Sequence, residues 1–190
     1  MGTDAPIETA WIETFSGLKF HLLDPQPEEI SIVDIAHSLS QQCRFTGHTH
    51  KFYSVSEHSV FVSRLCNRED ALWGLLHDAP ETYISDLSRP LKHGTPLGEI
   101  YRKIETKIML AICHKFGLPI ETPSSVHRAD VSMRFAEEEQ LLYEDRGKNP
   151  SYGVVILGLS PTEAERLFLE RFAELTHCSE PSSALSKASE

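Results

Sequence analysis

Helical periodicity runs almost unbroken from Ser31 to Leu175, and nearly every stretch carries its own start or stop signal. Ile32, Ile35, Ala36, Leu39 and Cys43 recur at helical spacing, with Ser31 and Asp34 as a capping pair. Ser54-Val55-Ser56-Glu57 reads as a capping box opening a second helix, with Val55, Val62 and Leu65 on its apolar side. Ala71 to Ala79 is a third helix, apolar nearly all round and therefore expected to be central. A fourth runs from about Gly98 to Phe116, with Ile100, Tyr101, Ile104, Ile108, Ala111 and Ile112 on one face and Gly117 as its left-handed stop. A fifth covers about Ser125 to Tyr143. Ser160-Pro161-Thr162-Glu163 opens the sixth, with Ala164, Leu167, Phe168, Phe172 and Leu175 as its buried stripe. Ahead of them, Trp11–Phe15 and Leu18–Leu22 flank Ser16-Gly17 and fit a short hairpin. The expected fold is a single all-α domain of about six helices over residues 7–177, with a disordered, Ser- and Glu-rich tail at 178–190.

Charge narrows the partners. The 190 residues carry a net charge of −10. A chain this acidic is poorly suited to binding nucleic acid polymers or anionic lipid, both of which need basic surface. An anionic small substrate would need a local cation or a metal to receive it. The longest strongly apolar run, Val154 to Leu157, is far short of the roughly 20 residues of a membrane span. The N-terminus has no basic region leading into an apolar core, so no secretory signal is expected. Cys43, Cys66, Cys113 and Cys178 lie far apart without a C-x-x-C, and read as reduced core thiols of a cytoplasmic protein.

Ten histidines are many for this length. His21, His93, His114 and His177 sit in polar or helix-end settings and read as surface groups. His77-Asp78 differs, because Leu75-Leu76 precede it in the most apolar helix. A buried imidazole and carboxylate are costly unless paired with each other or bound to a metal. A satisfied core His–Asp pair is the plain reading of those two residues alone. His58 near the start of the second helix and Asp130 in the fifth add two more donors. Glu81 follows His77 by four residues, and Pro80 between them is expected to kink the helix. Two imidazoles and two carboxylates suit one divalent Mn, Co, Fe, Ni or Zn ion, with Mg also compatible.

Tyr53-Ser54-Val55-Ser56-Glu57-His58-Ser59, Leu75-Leu76-His77-Asp78-Ala79-Pro80-Glu81, Asp86 and Ala129-Asp130 resemble the ordered motifs of the HD-domain metal-dependent phosphohydrolases. Ile35-Ala36-His37-Ser38-Leu39-Ser40, Cys43-Arg44-Phe45, Gly47-His48-Thr49 and Phe52-Tyr53 resemble its small nucleotide-acting branch. That branch includes bacterial 5′-deoxynucleotidases and compact phage dATP triphosphohydrolases. The resemblance spans about Trp11 to Leu175 and implies a compact HD-domain helical fold. It implies His58, His77, Asp78 and Asp130 as metal ligands. It gives Glu81 the work of orienting or deprotonating water, or of protonating the leaving oxygen. It puts Arg44 on the substrate phosphate, Phe45 near the base, Asp86 on a sugar hydroxyl, and Lys92 and His48 along the pocket. His37 and His50 are minor candidates for extra ligands.

The expected activity is hydrolysis of a nucleotide, leaning to a deoxynucleoside triphosphate such as dATP with release of nucleoside and triphosphate. A 5′-deoxynucleotidase acting on monophosphates is the close alternative, and a nucleotide-binding sensor without turnover is the rival from another class. A homo-oligomer is expected, with the Tyr101/Ile108 face of the fourth helix as a candidate contact.

Overall fold

The computed structural model describes residues 10–142 and 153–177. The chain is predominantly α. Its hairpin pairs β1 (Trp11–Glu13) with β2 (Lys19–His21) antiparallel, with Ile12 opposite Phe20. The α-helices are α1 (Ile32–Gln41), α2 (Val55–Leu65), α3 (Ala71–Leu76), α4 (Glu81–Ile84), α5 (Arg89–Gly94), α6 (Pro96–Phe116), α7 (Ser124–Glu137) and α8 (Pro161–His177). Six of them correspond to the six read from periodicity; α4 and α5 are short additions. The residues expected to form the disordered tail, 178–190, lie outside those described, as does Cys178.

The hub is α2, which packs against α1, α3, α7 and α8. Phe20, Leu39, Val60, Leu76, Ile112 and Phe168 meet in the main core, while Val62, Trp73, Val126 and Met133 form a second core where α2, α3 and α7 meet. Gly117 ends α6 in the left-handed region at φ 66°, as its sequence position implies. The α8 capping box forms in full: Ser160 Oγ accepts from Glu163 N, and Glu163 Oε2 accepts from Ser160 N at 3.0 Å.

Two other capping pairs form only halfway, because their acids have better partners. Ser31 and Ser54 cap α1 and α2. Buried Asp34 instead accepts the amide and hydroxyl of Ser16, both at 2.7 Å, and so ties the hairpin to α1. Glu57, fully buried, accepts the amides of Leu157, Gly158 and Leu159 at 3.0, 3.0 and 2.8 Å, fastening the segment that leads into α8.

Other expectations need correction. The third helix stops at Leu76; Ala79 N bonds Leu76 O and Glu81 N bonds Asp78 O, a tight turn ending in Pro80. Glu81 therefore opens α4 instead of riding the same helix as His77. Leu65 and Ile100 are exposed, and Ile108 is fully buried in the main core, so the Tyr101/Ile108 face is not spare. Cys43 is exposed, Cys66 half-buried and Cys113 buried, so only the last is a core thiol. His21 pairs with Glu29 at 2.6 Å. No described helix is long and apolar enough to cross a membrane.

Candidate metal centre and its clefts

Three segments converge on one point. His58 comes from the first turn of α2, His77 and Asp78 from the turn after α3, and Asp130 from the middle of α7. His58, His77 and Asp130 each offer a donor atom, all within 4.8 Å of one another, and the three could hold a metal ion. Asp78 Oδ2 lies 3.2 Å from His77 Nε2 and 3.6 Å from His58 Nε2, so the fourth expected ligand is in the same cluster. His37 is elsewhere, stacked on Phe15 and paired with Glu165.

The imidazoles are oriented from behind. His77 Nδ1 bonds Gly74 O at 2.8 Å, and His58 Nδ1 bonds Glu137 Oε1. A proton on each Nδ1 leaves both Nε2 lone pairs facing the centre, where they are only 3.2 Å apart. Two ring nitrogens that close need a proton or a cation between them, and the donor set fits a cation. Its mixed nitrogen and oxygen composition fits a borderline or hard divalent ion.

Glu137 is the residue the sequence reading missed. It is fully buried and accepts from Tyr53 Oη at 2.8 Å and Arg44 Nη2 at 2.9 Å as well as from His58. Burial works against its charge, yet the Arg44 guanidinium and the His58 ring outweigh burial and hold its carboxyl well below the usual range. Asp78 is likewise held low by His77, His58 and Arg44 against burial. Burial and Arg44 draw the His58 imidazolium down, but Glu137 and Asp130 prevail and leave it at about 9. A cation at the centre would replace that proton.

Glu81 behaves in the opposite way. It is buried, and its Oε2 has no hydrogen-bond partner among the described residues. Burial, then Asp78 and Asp86, push its carboxyl well above the ordinary range, against the pull of Lys92 and Arg44. Lys92 Nζ stands 4.0 Å from Glu81 Oε1 and is held by Glu105 at 2.6 Å.

A cleft of about 570 Å³ opens on the cluster. All the expected substrate residues, Arg44, Phe45, His48, Asp86 and Lys92, line it together with Asp78, Glu81 and Asp130. Arg89 and Arg134 line it too, and neither was singled out in the sequence. Arg44, Arg89, Lys92 and Arg134 face five carboxyl groups (Asp78, Glu81, Asp86, Asp130, Glu138), so with Glu81 protonated and neutral histidines the wall carries 4 − 4 = 0. A divalent ion turns that to +2, so the cleft's affinity for anions depends on the ion. A second cleft of about 400 Å³ meets the first at Asp78, Lys92 and Asp130.

Backbone strain gathers around the first cleft. Phe45 and Thr46 have φ of 53° and 55°, and Ser85, beside Asp86, has φ 61° and ψ 160°. That last pair of angles belongs to glycine, and a serine persists there only because its surroundings fix it. Ser85 N bonds Glu81 O, Ser85 O accepts from Tyr101 Oη, and Asp86 N bonds Gln42 Oε1.

No family model matches the chain. It is 37% identical over 174 residues to the uncharacterized protein YfdR of Escherichia coli (strain K12), covering 88% of this chain and 96% of that protein. It is 34% identical over 176 residues to an uncharacterized protein of Rhodobacter capsulatus, covering 85% of this chain and 81% of that protein.

Proposed function

The chain belongs to the same family as YfdR, and from its cluster and cleft we propose that it is a metal-dependent phosphohydrolase of the HD-domain kind that acts on deoxynucleotides. The observation that carries this reading is the convergence of His58, His77, Asp78 and Asp130 at a cleft lined by four cations and a buried Glu81 whose Oε2 has no hydrogen-bond partner among the described residues.

A divalent ion, when bound, lowers the pKa of a water and polarises a phosphoryl oxygen. The chain's own residues do the rest. Arg44 lines the cleft and is clamped by Glu137, which fixes a positive charge beside the cluster for a phosphate. Glu81, raised toward its protonated form, is suited to relaying the proton that water loses to the leaving ester oxygen. In the balanced step, water oxygen bonds to the α-phosphorus and the bond to the 5′ oxygen breaks. One water proton reaches that oxygen. From dATP the products are deoxyadenosine and triphosphate.

Hydrolysis of a deoxynucleoside monophosphate is the second reading, and one observation favours it: Arg44 and Lys92 already hold carboxylates, which leaves fewer free donors for a phosphate tail. Product analysis by anion exchange separates the two. Purified protein with Mn²⁺ or Co²⁺ is given dATP and, separately, dAMP, beside Asp78→Ala. Triphosphate and deoxyadenosine from dATP, absent in the variant, is the expected result. Phosphate from dAMP alone would make it a 5′-nucleotidase. Tight nucleotide binding with no product from either would make it a sensor and overturn the enzymatic reading.

A further inference from the structure

Asp86 lies between elements, past the end of α4 and ahead of α5, and follows the strained Ser85. Among the described residues its amide has one acceptor, Gln42 Oε1 at 3.2 Å. Gln42 reaches it from the end of α1. The Gln42 Nε2 donates to Glu81 O and to Ser38 Oγ, both at 3.1 Å, so both ends of the amide are used and its orientation is fixed. The backbone carbonyl of Gln42 accepts from Val55 N at 3.1 Å, at the first residue of the helix that carries His58. Ser38, one turn earlier, donates to Thr82 O at 3.1 Å and braces the same pairing of α1 with α4. One side chain therefore connects the helix of the metal cluster to the Asp86 amide. Gln42 itself does not line the cleft that Asp86 and Arg44 share; it lines another of about 360 Å³, with Ser38, Thr82 and Ser85. Its two ends matter unequally. Glu81 O already accepts from Ser85 N at 2.8 Å, whereas Asp86 N has no second partner among the described residues.

We propose that Gln42 is a positioning residue for Asp86: it holds the turn at Ser85 so that the Asp86 carboxylate keeps a fixed place relative to the metal cluster, and so sets how sharply the site tells a sugar hydroxyl from its absence. The inference rests on the deoxynucleotide reading for the ligand, and on the hydrogen bonds of Gln42 for the device. An ionised carboxylate only accepts, so its partner on the ligand is a donor, and on a deoxynucleotide sugar that donor is a hydroxyl. A serine at φ 61° and ψ 160° relaxes when its neighbours release it, and relaxation there re-aims the residue that follows. Tyr101 donates its hydroxyl to Ser85 O and steadies the same turn from α6. Gln42 acts from α1, and its own backbone is registered on α2 through Val55.

The test uses nucleosides, which carry no phosphate to hydrolyse, so it does not need turnover. Full-length, Mn²⁺-loaded protein is titrated calorimetrically with deoxyadenosine and with 2′,3′-dideoxyadenosine, which lacks the sugar's secondary hydroxyl. The wild type is expected to prefer deoxyadenosine by roughly tenfold, as for a hydrogen bond to a charged group. Gln42→Leu is expected to cut that preference to about twofold or less, as Asp86→Ala does, because the hydrogen bond is lost in both. Its affinity for dideoxyadenosine and for Mn²⁺ and its Tm are expected to stay as in the wild type. Hydrogen exchange is expected to quicken at residues 85–88 and not in α2 or α7. Tyr101→Phe loosens the turn without touching α1 and is expected to lose part of the preference, so it carries the test if Gln42→Leu does not fold. A fall in Tm and in both nucleoside affinities together would make Gln42 merely structural and overturn the inference. A wild type without the preference overturns it too, as does a preference kept in full by Gln42→Leu or by Tyr101→Phe. If the preference behaves as expected but neither dATP nor dAMP is cleaved, the positioning role stands and the hydrolytic reading falls.

Discussion

A carboxylate shared by Tyr53, His58 and Arg44 accepts through both of its oxygens, so neither can be exchanged for a donor without loss. Glu137→Gln keeps its shape but replaces one acceptor oxygen with a donor that must face the His58 Nδ1–H, the Tyr53 hydroxyl or the Arg44 guanidinium. We expect Mn²⁺ affinity to fall by about 10- to 100-fold, as for other groups that orient a ligating imidazole. Calorimetric titration measures it, and an unchanged affinity would mean that His58 needs no support. Ser85→Gly has the opposite sign for stability. Relief of a glycine-only conformation outweighs the added freedom of the unfolded chain, for a net gain of roughly 1 kcal/mol in urea unfolding. The four residues of the cluster were legible because each sits in a distinctive local word, such as Leu75-Leu76-His77-Asp78. Glu137 was not, since Glu137-Glu138-Glu139 reads as a solvated acidic run and Arg44, its partner, is 93 residues away. The available signal was spacing: Glu137 follows Asp130 by seven residues, two helical turns, and so faces the same side.

Elements were legible where their signals are local. The hairpin, the caps of α1, α2 and α8, and the stop of α6 all follow from a few adjacent residues. α5 is not legible in the sequence, because six residues with proline second and glycine last carry no period of their own. It is held by tertiary contact with α6. A Cβ on Gly98 would stand 2.1 Å from Lys92 O and 2.6 Å from Leu91 O, both unyielding backbone atoms. Gly98→Ala must therefore push α5 off α6 and carry Lys92 and Arg89 away from the cleft. We expect a loss of ~3 kcal/mol in unfolding free energy together with weaker binding of tripolyphosphate. An Ala variant with normal stability would show that α5 is free to shift. The break between α3 and α4 was half legible: Pro80 announced a kink, but only the finished turn shows Glu81 starting a new helix beneath the cleft.

Across the whole molecule, the cluster joins parts of the chain that are distant in sequence. His58, His77 and Asp130 are 19 and then 53 residues apart, and they tie α2, the α3–α4 turn and α7 to one point. An ion bound there stabilises only the folded chain. At a free concentration about 100 times its Kd, Mn²⁺ should add about 2.7 kcal/mol. For a chain of this size that is a rise in Tm of roughly 5–10 °C. Asp130→Asn should lose that rise while keeping the Tm of the metal-free protein, and differential scanning calorimetry with and without a chelator reads both. The same arithmetic reaches beyond the test tube. Proteases cut the opened chain, so the rate at which this polypeptide is degraded would follow the supply of the metal. A cell starved of the ion would then be left with fewer copies of the protein, and not merely with idle ones.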